Sequence, residues 1–214
     1  ESYYAGFGAY EIDFSAPLDD RALDENIQLT PEVAGARFFV ASGERTLLIY
    51  GYFRYETTYT LRLDPKLKDI WGGELAEAFE TTFTTPPAAP SLNMASGYPT
   101  DNLMFIPASA PELILQATNI NSLSFEIAPI SVEDLIILLH PDNYRYREIF
   151  LPEVREVTTH QLALSSNQRE VLTLPLSYQG DPLASGIYYL GIQTPDIPAE
   201  ENEHYQKYFL IVSE

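Results

Sequence analysis

Tyr10-Glu11-Ile12-Asp13-Phe14 places an apolar side chain on every second residue with a carboxylate between, the period-two pattern of a strand with one face buried and the other wet. Thr58-Tyr59-Thr60-Leu61-Arg62-Leu63 repeats it. Around these two stretches, Ile27 and Leu29, Arg37 to Ala41, Thr46 to Tyr50 and Glu80 to Thr84 supply further short strands. About six strands in the first 86 residues predict a β-sandwich. Ser42-Gly43 and Gly72-Gly73 mark turns, Asp19 to Glu25 has room for a helical turn, and Glu74 to Ala78 for at most another.

The strongest interruption follows at Thr85-Pro86-Pro87-Ala88-Ala89-Pro90, where prolines fix φ, remove amide donors and hold the chain extended. A domain boundary is expected here, giving a first domain over 1–86, a linker over 87–91 and a second domain over 92–214. The second half keeps the β style. Leu113-Ile114-Leu115, Leu123 to Ile127, Arg155 to Leu164, Val171 to Leu176, Ile187 to Ile192 and Tyr205 to Val212 all read as strands. One segment differs: Ser131, with Asp134 three residues on, makes a capping box that opens a short helix over Val132 to Leu139, ended by His140-Pro141. The fold class expected is therefore all-β, two Ig-like β-sandwich domains in tandem, with a short helix in the second.

The first half resembles the bacterial Ig-like domain of surface-layer proteins. The resemblance is carried, in order, by Tyr10-Glu11-Ile12-Asp13-Phe14-Ser15-Ala16-Pro17-Leu18-Asp19, Asn26-Ile27, Thr58-Tyr59-Thr60-Leu61, Lys68-Asp69 with Gly72-Gly73, and Thr82-Phe83-Thr84-Thr85. Ala16 departs from the glutamate or lysine usual at that place. The second half resembles the macroglobulin-like sandwich that follows such a module near the N-terminus of bacterial α2-macroglobulin-like proteins, through Leu115-Gln116-Ala117-Thr118-Asn119, Leu123-Ser124-Phe125-Glu126-Ile127, the Ser131 to Leu139 segment and Ser185-Gly186-Ile187-Tyr188-Tyr189-Leu190. The resemblance implies a large surface-anchored or periplasmic protease trap, working through a bait region and often a thioester of Cys, Glu and Gln. With no cysteine among the 214 residues, that thioester cannot lie in this chain.

Composition limits the alternatives. The formal charge of -19 arises from 31 acidic and 12 basic residues, and both halves are acidic, so neither offers a basic face to nucleic acid or anionic lipid. No stretch approaches the run of about 20 apolar residues that spans a membrane, so no direct insertion is expected. Glu1-Ser2-Tyr3-Tyr4 carries neither an initiator methionine nor a signal-peptide pattern, and Tyr205 to Val212 reads as a strand with no polar tail. The chain is expected to be a piece of a longer extracytoplasmic protein, periplasmic, surface-bound or secreted, and monomeric by itself.

No catalytic constellation, cofactor or metal site is expected. Asp13, Asp19, Asp20 and Asp24 lack the spacing of a calcium loop and suit turns and helix caps, as do Asp64, Asp69 and Glu74. His140, His160 and His204 are too far apart for zinc spacing, and no G-x-S-x-G, G-x-G-x-x-G or P-loop occurs. Tyr3, Tyr4, Phe7, Tyr50, Tyr52, Phe53 and Tyr55 crowd the first half and offer rings to a sugar or a protein, or else to the core. Tyr144, Arg145, Tyr146 and Arg147 form the candidate partner-binding surface, expected in a loop after the short helix. The function expected is that of non-catalytic scaffold and spacer modules of a bacterial α2-macroglobulin-like protease inhibitor, with the other domains of the parent chain, and through them proteases, as partners. The alternative is a stalk or glycan- or protein-binding module of a surface-layer, adhesin or secreted hydrolase protein.

Overall fold

The structure is a computed structural model that describes residues 6–40, 45–95, 102–198 and 206–214. Tyr3, Tyr4, Ser42-Gly43, His204 and Tyr205 lie outside the described residues, as does the side chain of Phe7. The chain divides into two compact units, Glu1–Ala88 and Ala89–Glu214.

The first unit pairs two three-stranded antiparallel sheets. One holds β1 (Gly6–Asp13), β4 (Thr46–Phe53) and β3 (Ala34–Val40) in the order β1-β4-β3; the other holds β2 (Ile27–Thr30), β5 (Thr58–Leu63) and β6 (Phe79–Thr84) in the order β2-β5-β6. The alternation in the sequence is the alternation of burial: Leu47, Ile49 and Phe53 of β4 and Tyr59, Leu61 and Leu63 of β5 are buried between the sheets. Tyr10 stacks on Phe83 at 4.0 Å between ring centroids, and Phe53 meets Tyr59 edge-on at 5.3 Å. Asp19 caps a 3-10 turn over Asp20–Ala22 that leads into α1 (Leu23–Asn26). Glu74 to Ala78 makes no helical turn; Glu74 instead bridges in extended form to Lys68.

The second unit sets a five-stranded sheet, order β11-β10-β15-β16-β8, against a three-stranded sheet, order β12-β9-β7. The first contains β8 (Leu103–Pro107), β10 (Ser122–Pro129), β11 (Glu156–Gln161), β15 (Gly186–Gln193) and β16 (Gln206–Ser213), with β8 parallel to β16. The second contains β7 (Ser91–Met94), β9 (Glu112–Thr118) and β12 (Glu170–Pro175), and β13 (Ser177–Tyr178) pairs with β14 (Asp181–Pro182) as a small ribbon. Leu123, Phe125, Leu190, Leu210 and Leu113 fill the space between the sheets. The chain is all-β and Ig-like, as its strand patterns imply.

Alternate residues of β15 and β16, Tyr189 and Phe209, point the other way and are fully buried too. A layer of helices covers them: α2 (Val132–Leu139) and α3 (Tyr144–Ile149), inserted between β10 and β11. The central strands are therefore buried on both faces, which is why they read as continuous apolar runs rather than alternating ones. The sequence reading missed β7, which starts at Ser91 inside the stretch expected as linker, and β8. It also placed Tyr144 to Arg147 in a loop, whereas they form the body of α3.

Candidate functional site

The helical layer is built from its first cap. Ser131 Oγ accepts from the amide of Asp134 at 3.0 Å while the Asp134 carboxylate accepts from the Ser131 amide, the reciprocal pair of a capping box. α2 turns Leu135 and Leu138 down onto Ala128, Tyr189 and Phe209. Its sequence, Val-Glu-Asp-Leu-Ile-Ile-Leu-Leu, carries more apolar residues than one helical stripe can bury. The surplus faces water: Ile136 is 65% exposed, and Val132 and Ile137 are exposed as well.

His140 ends α2 because the following proline disfavours helical backbone at the residue before it. Pro141 then sits at the first position of a 3-10 turn, where its missing amide costs nothing, and His140 Nδ1 accepts from the Asp142 amide. Asn143 Nδ2 donates to the Ile137 carbonyl at 2.9 Å and closes the corner. The chain is thereby aimed into α3 instead of a loop, and Phe150 anchors the far end, its ring against Tyr189 and Phe209 at centroid distances of 6.0 and 6.3 Å.

On α3, Arg145 Nε donates to the Tyr144 hydroxyl at 3.0 Å, and its guanidinium lies 5.7 Å from that ring's centroid. Tyr146 meets Phe150 edge-on at 5.9 Å, one turn along. Tyr144, Arg145 and Tyr146 are exposed and Arg147 is half-buried. The four thus stand on the same inserted layer as the exposed Ile136, Ile137 and Ile149, three isoleucines that the sequence reading did not single out although α2's apolar surplus signalled two of them. Ile149 is 76% exposed.

Beneath this face lies a charged network. Arg155 Nε contacts Glu126 Oε2 at 2.5 Å, Gln193 Nε2 donates to Glu126 Oε1 at 3.0 Å, and Arg155 Nη1 donates to the Pro152 carbonyl. Lys207 Nζ donates to the carbonyls of Phe150 and Glu148, where a cation suits the negative end of α3. Burial pushes the Lys207 ammonium below its ordinary pKa, against the opposing pull of the Glu126 and Glu148 carboxylates.

The other candidates from the sequence separate. Phe53 joins the core, Tyr50 and Tyr55 are half-buried, and Tyr52 alone of that group stands well into solvent, so the four make no aromatic platform. Asp13 accepts from Thr46 Oγ1, Asp64 from the Lys66 amide, and Asp69 from the amides of Trp71 and Gly73, all turn and edge duties. Arg21 holds the Asp19 carboxyl down at a pKa of about 2. Among the described residues no three His, Cys, Asp or Glu side chains gather in a way that could hold a metal ion. A polar hollow of 160 Å³ between Glu25, Asn26, Gln28, Arg62 and Asp64 is smaller than the few hundred Å³ of a typical ligand cleft. His160 packs against Phe125 at 5.0 Å, and burial holds its imidazole below the ordinary pKa. The sole tryptophan, Trp71, is 73% exposed at the tip of the Asp69–Gly73 turn; its rarity in the sequence was the available signal.

No protein-family model matches the sequence, and comparison with the curated proteins finds no match either. By fold, the whole chain is similar to a segment of Salmonella alpha-2-macroglobulin reacted with methylamine, with a TM-score of 0.73 at 19% identity over 100% of this chain. A point mutant of the Salmonella protein matches with a TM-score of 0.71, again at 19% identity over 100% of this chain. The chain spans 13% of each of those chains.

Proposed function

We propose that the chain forms non-catalytic scaffold and spacer modules of a large extracytoplasmic bacterial protein of the α2-macroglobulin type, a protease inhibitor whose trapping chemistry lies in other parts of the molecule. The observation that supports this reading is the fold likeness along the entire chain, both units included, to one stretch of a far longer bacterial alpha-2-macroglobulin. The absence of cysteine is consistent with it, since a thioester would have to be supplied elsewhere. The chain's own contribution is two sandwiches, each packed around its own core, the second with a helical layer fixed by cap, corner and cation.

The test compares the purified 214-residue chain with the whole protein that carries it, each incubated with trypsin and a protein substrate. The whole protein is expected to slow digestion and the 214-residue chain to leave it unchanged. Inhibition by the 214 residues alone overturns the scaffold reading, and so does a whole protein that leaves trypsin untouched.

A further inference from the structure

We propose that the hollow on the outer face of β2 and β5 binds the zwitterionic head of an α-amino acid, its carboxylate on Arg62 and its ammonium between Asp64 and Glu25. The inference concerns the first unit alone and stands apart from the scaffold reading above.

The strand ladder builds the hollow. Ile27 of β2 and Leu61 and Leu63 of β5 are buried between the sheets, so Gln28 and Arg62, which face each other in the register, lie on the outer side. The next rung is closed by the Asp64 amide, which donates to the Asn26 carbonyl at 2.8 Å where α1 passes into β2, and Glu25 enters from α1. A turn fixes the rim: Asp64 Oδ1 accepts from the Lys66 amide at 2.9 Å, and the Asp64 carbonyl accepts from the Leu67 amide at 3.0 Å. Five side chains thus surround 160 Å³, and none of them is apolar. The space is too small for a drug-sized molecule and suits one small solute.

Both signs of charge line this space without neutralising each other. Arg62, Glu25 and Asp64 join none of the ion pairs among the described residues, although Arg62 and Asp64 are only two residues apart. A lone anion would meet two carboxylates here and a lone cation a guanidinium, so neither sign is selected by itself. A carboxylate and an ammonium on one carbon meet both. The guanidinium fork donates two parallel N–H bonds to a carboxylate, the ammonium donates to Asp64 and Glu25, and the Asn26 and Gln28 carboxamides both donate and accept. A neutral sugar ring would leave the charges without counter-charges. The surroundings add one charge of each sign, Glu80 opposite Arg62 on β6 and Lys66 beyond Asp64. Because the hollow is open to water, these bonds hold a ligand with millimolar strength.

Titration of the isotope-labelled 214-residue chain with L-alanine, followed through its amide chemical shifts, tests the site. Saturable shifts are expected at residues 25–28 and 62–64, with the amides of the second unit unmoved. Acetate, methylamine and glucose should each move the same amides about ten-fold less at equal concentration. Arg62→Gln and Asp64→Asn should each weaken alanine binding about ten-fold, the loss of one charge-assisted contact, while the melting curve stays in place, since asparagine keeps the acceptor for the Lys66 amide. Nε-acetyl-lysine carries the same head on a longer stem: binding equal to alanine's shows that the end of a larger molecule enters too, and weaker binding confines the site to small free amino acids. No saturation by about 100 mM alanine, shifts matched by acetate, methylamine or glucose, or alanine binding indifferent to both substitutions each overturn the inference. None of these results bears on the scaffold reading, which the trypsin comparison tests.

Discussion

Lys207 of β16 donates its ammonium to the carbonyl oxygen of Phe150 at 3.1 Å, so a strand of the central sheet holds down the C-terminal end of α3. Replacing it by methionine keeps the apolar stem and removes every donor. Lys207→Met is expected to cost about 1–3 kcal/mol, the usual loss for a hydrogen bond made by a charged group. Urea unfolding measures the loss. Amide exchange localises it, because the protons of α3 should exchange faster than those of β10 and β15.

Glu126 is the buried member of its network, and its partner Arg155 is 30% exposed at the side chain. Arg155→Met takes the cation away from the Glu126 carboxylate while Gln193 Nε2 still donates to it, a change that costs about 2–4 kcal/mol once partial solvent access is allowed for. Glu126→Leu together with Arg155→Met should recover most of the loss, since no charge then lies stranded. A double-mutant cycle by denaturant titration reads the coupling, and additive losses would contradict the pairing.

Those two clamps also explain what the sequence could and could not reveal. Period-two runs such as Thr58 to Leu63 declared the strands of the first unit, and the Ser131-Asp134 cap declared α2, because in both the signal is local. α3 had no such signal: six residues, Tyr144 to Ile149, carry no readable apolar period, and their helix depends on Phe150 and Lys207, the latter arriving from a strand dozens of residues away. β7 and β8 escaped for a related reason, since Ser91–Met94 and Leu103–Pro107 are short, of mixed polarity, and made into strands by the neighbours they pair with. The candidate surface was half legible. Tyr144 to Arg147 stood out by composition, whereas Ile149 became part of it only once α3 was folded beside α2.

His160 supplies a pH dependence. Its Nε2 is buried without a hydrogen-bond partner, and burial lowers the folded-state pKa below the ordinary value near 6.5. The folded form then binds fewer protons than the unfolded form, so this contribution is fully favourable above pH 6.5 and is lost as pH falls from there through the folded pKa. Melting temperatures taken between about pH 7.5 and 5 should fall more steeply for the native chain than for His160→Leu. Parallel pH profiles would show that the imidazole does not sense the fold.

Gly51 tests the packing of the first unit where a side chain is excluded by contact. A Cβ there would clash with Val33 Cγ1, well inside van der Waals separation, and Val33 is itself buried in the core. Gly51 lies in β4, paired on both sides by β1 and β3, so the strand cannot shift without disturbing two ladders. Gly51→Ala must therefore push Val33 aside, an overpacking cost of about 1–3 kcal/mol despite alanine's gain in backbone entropy. Combining it with Val33→Ala removes the clash, and the second substitution should cost less in the Gly51→Ala background than alone. Thermal or chemical unfolding of the four chains measures that difference, and a neutral Gly51→Ala would show that the contact between β4 and Val33 is looser than the structure has it.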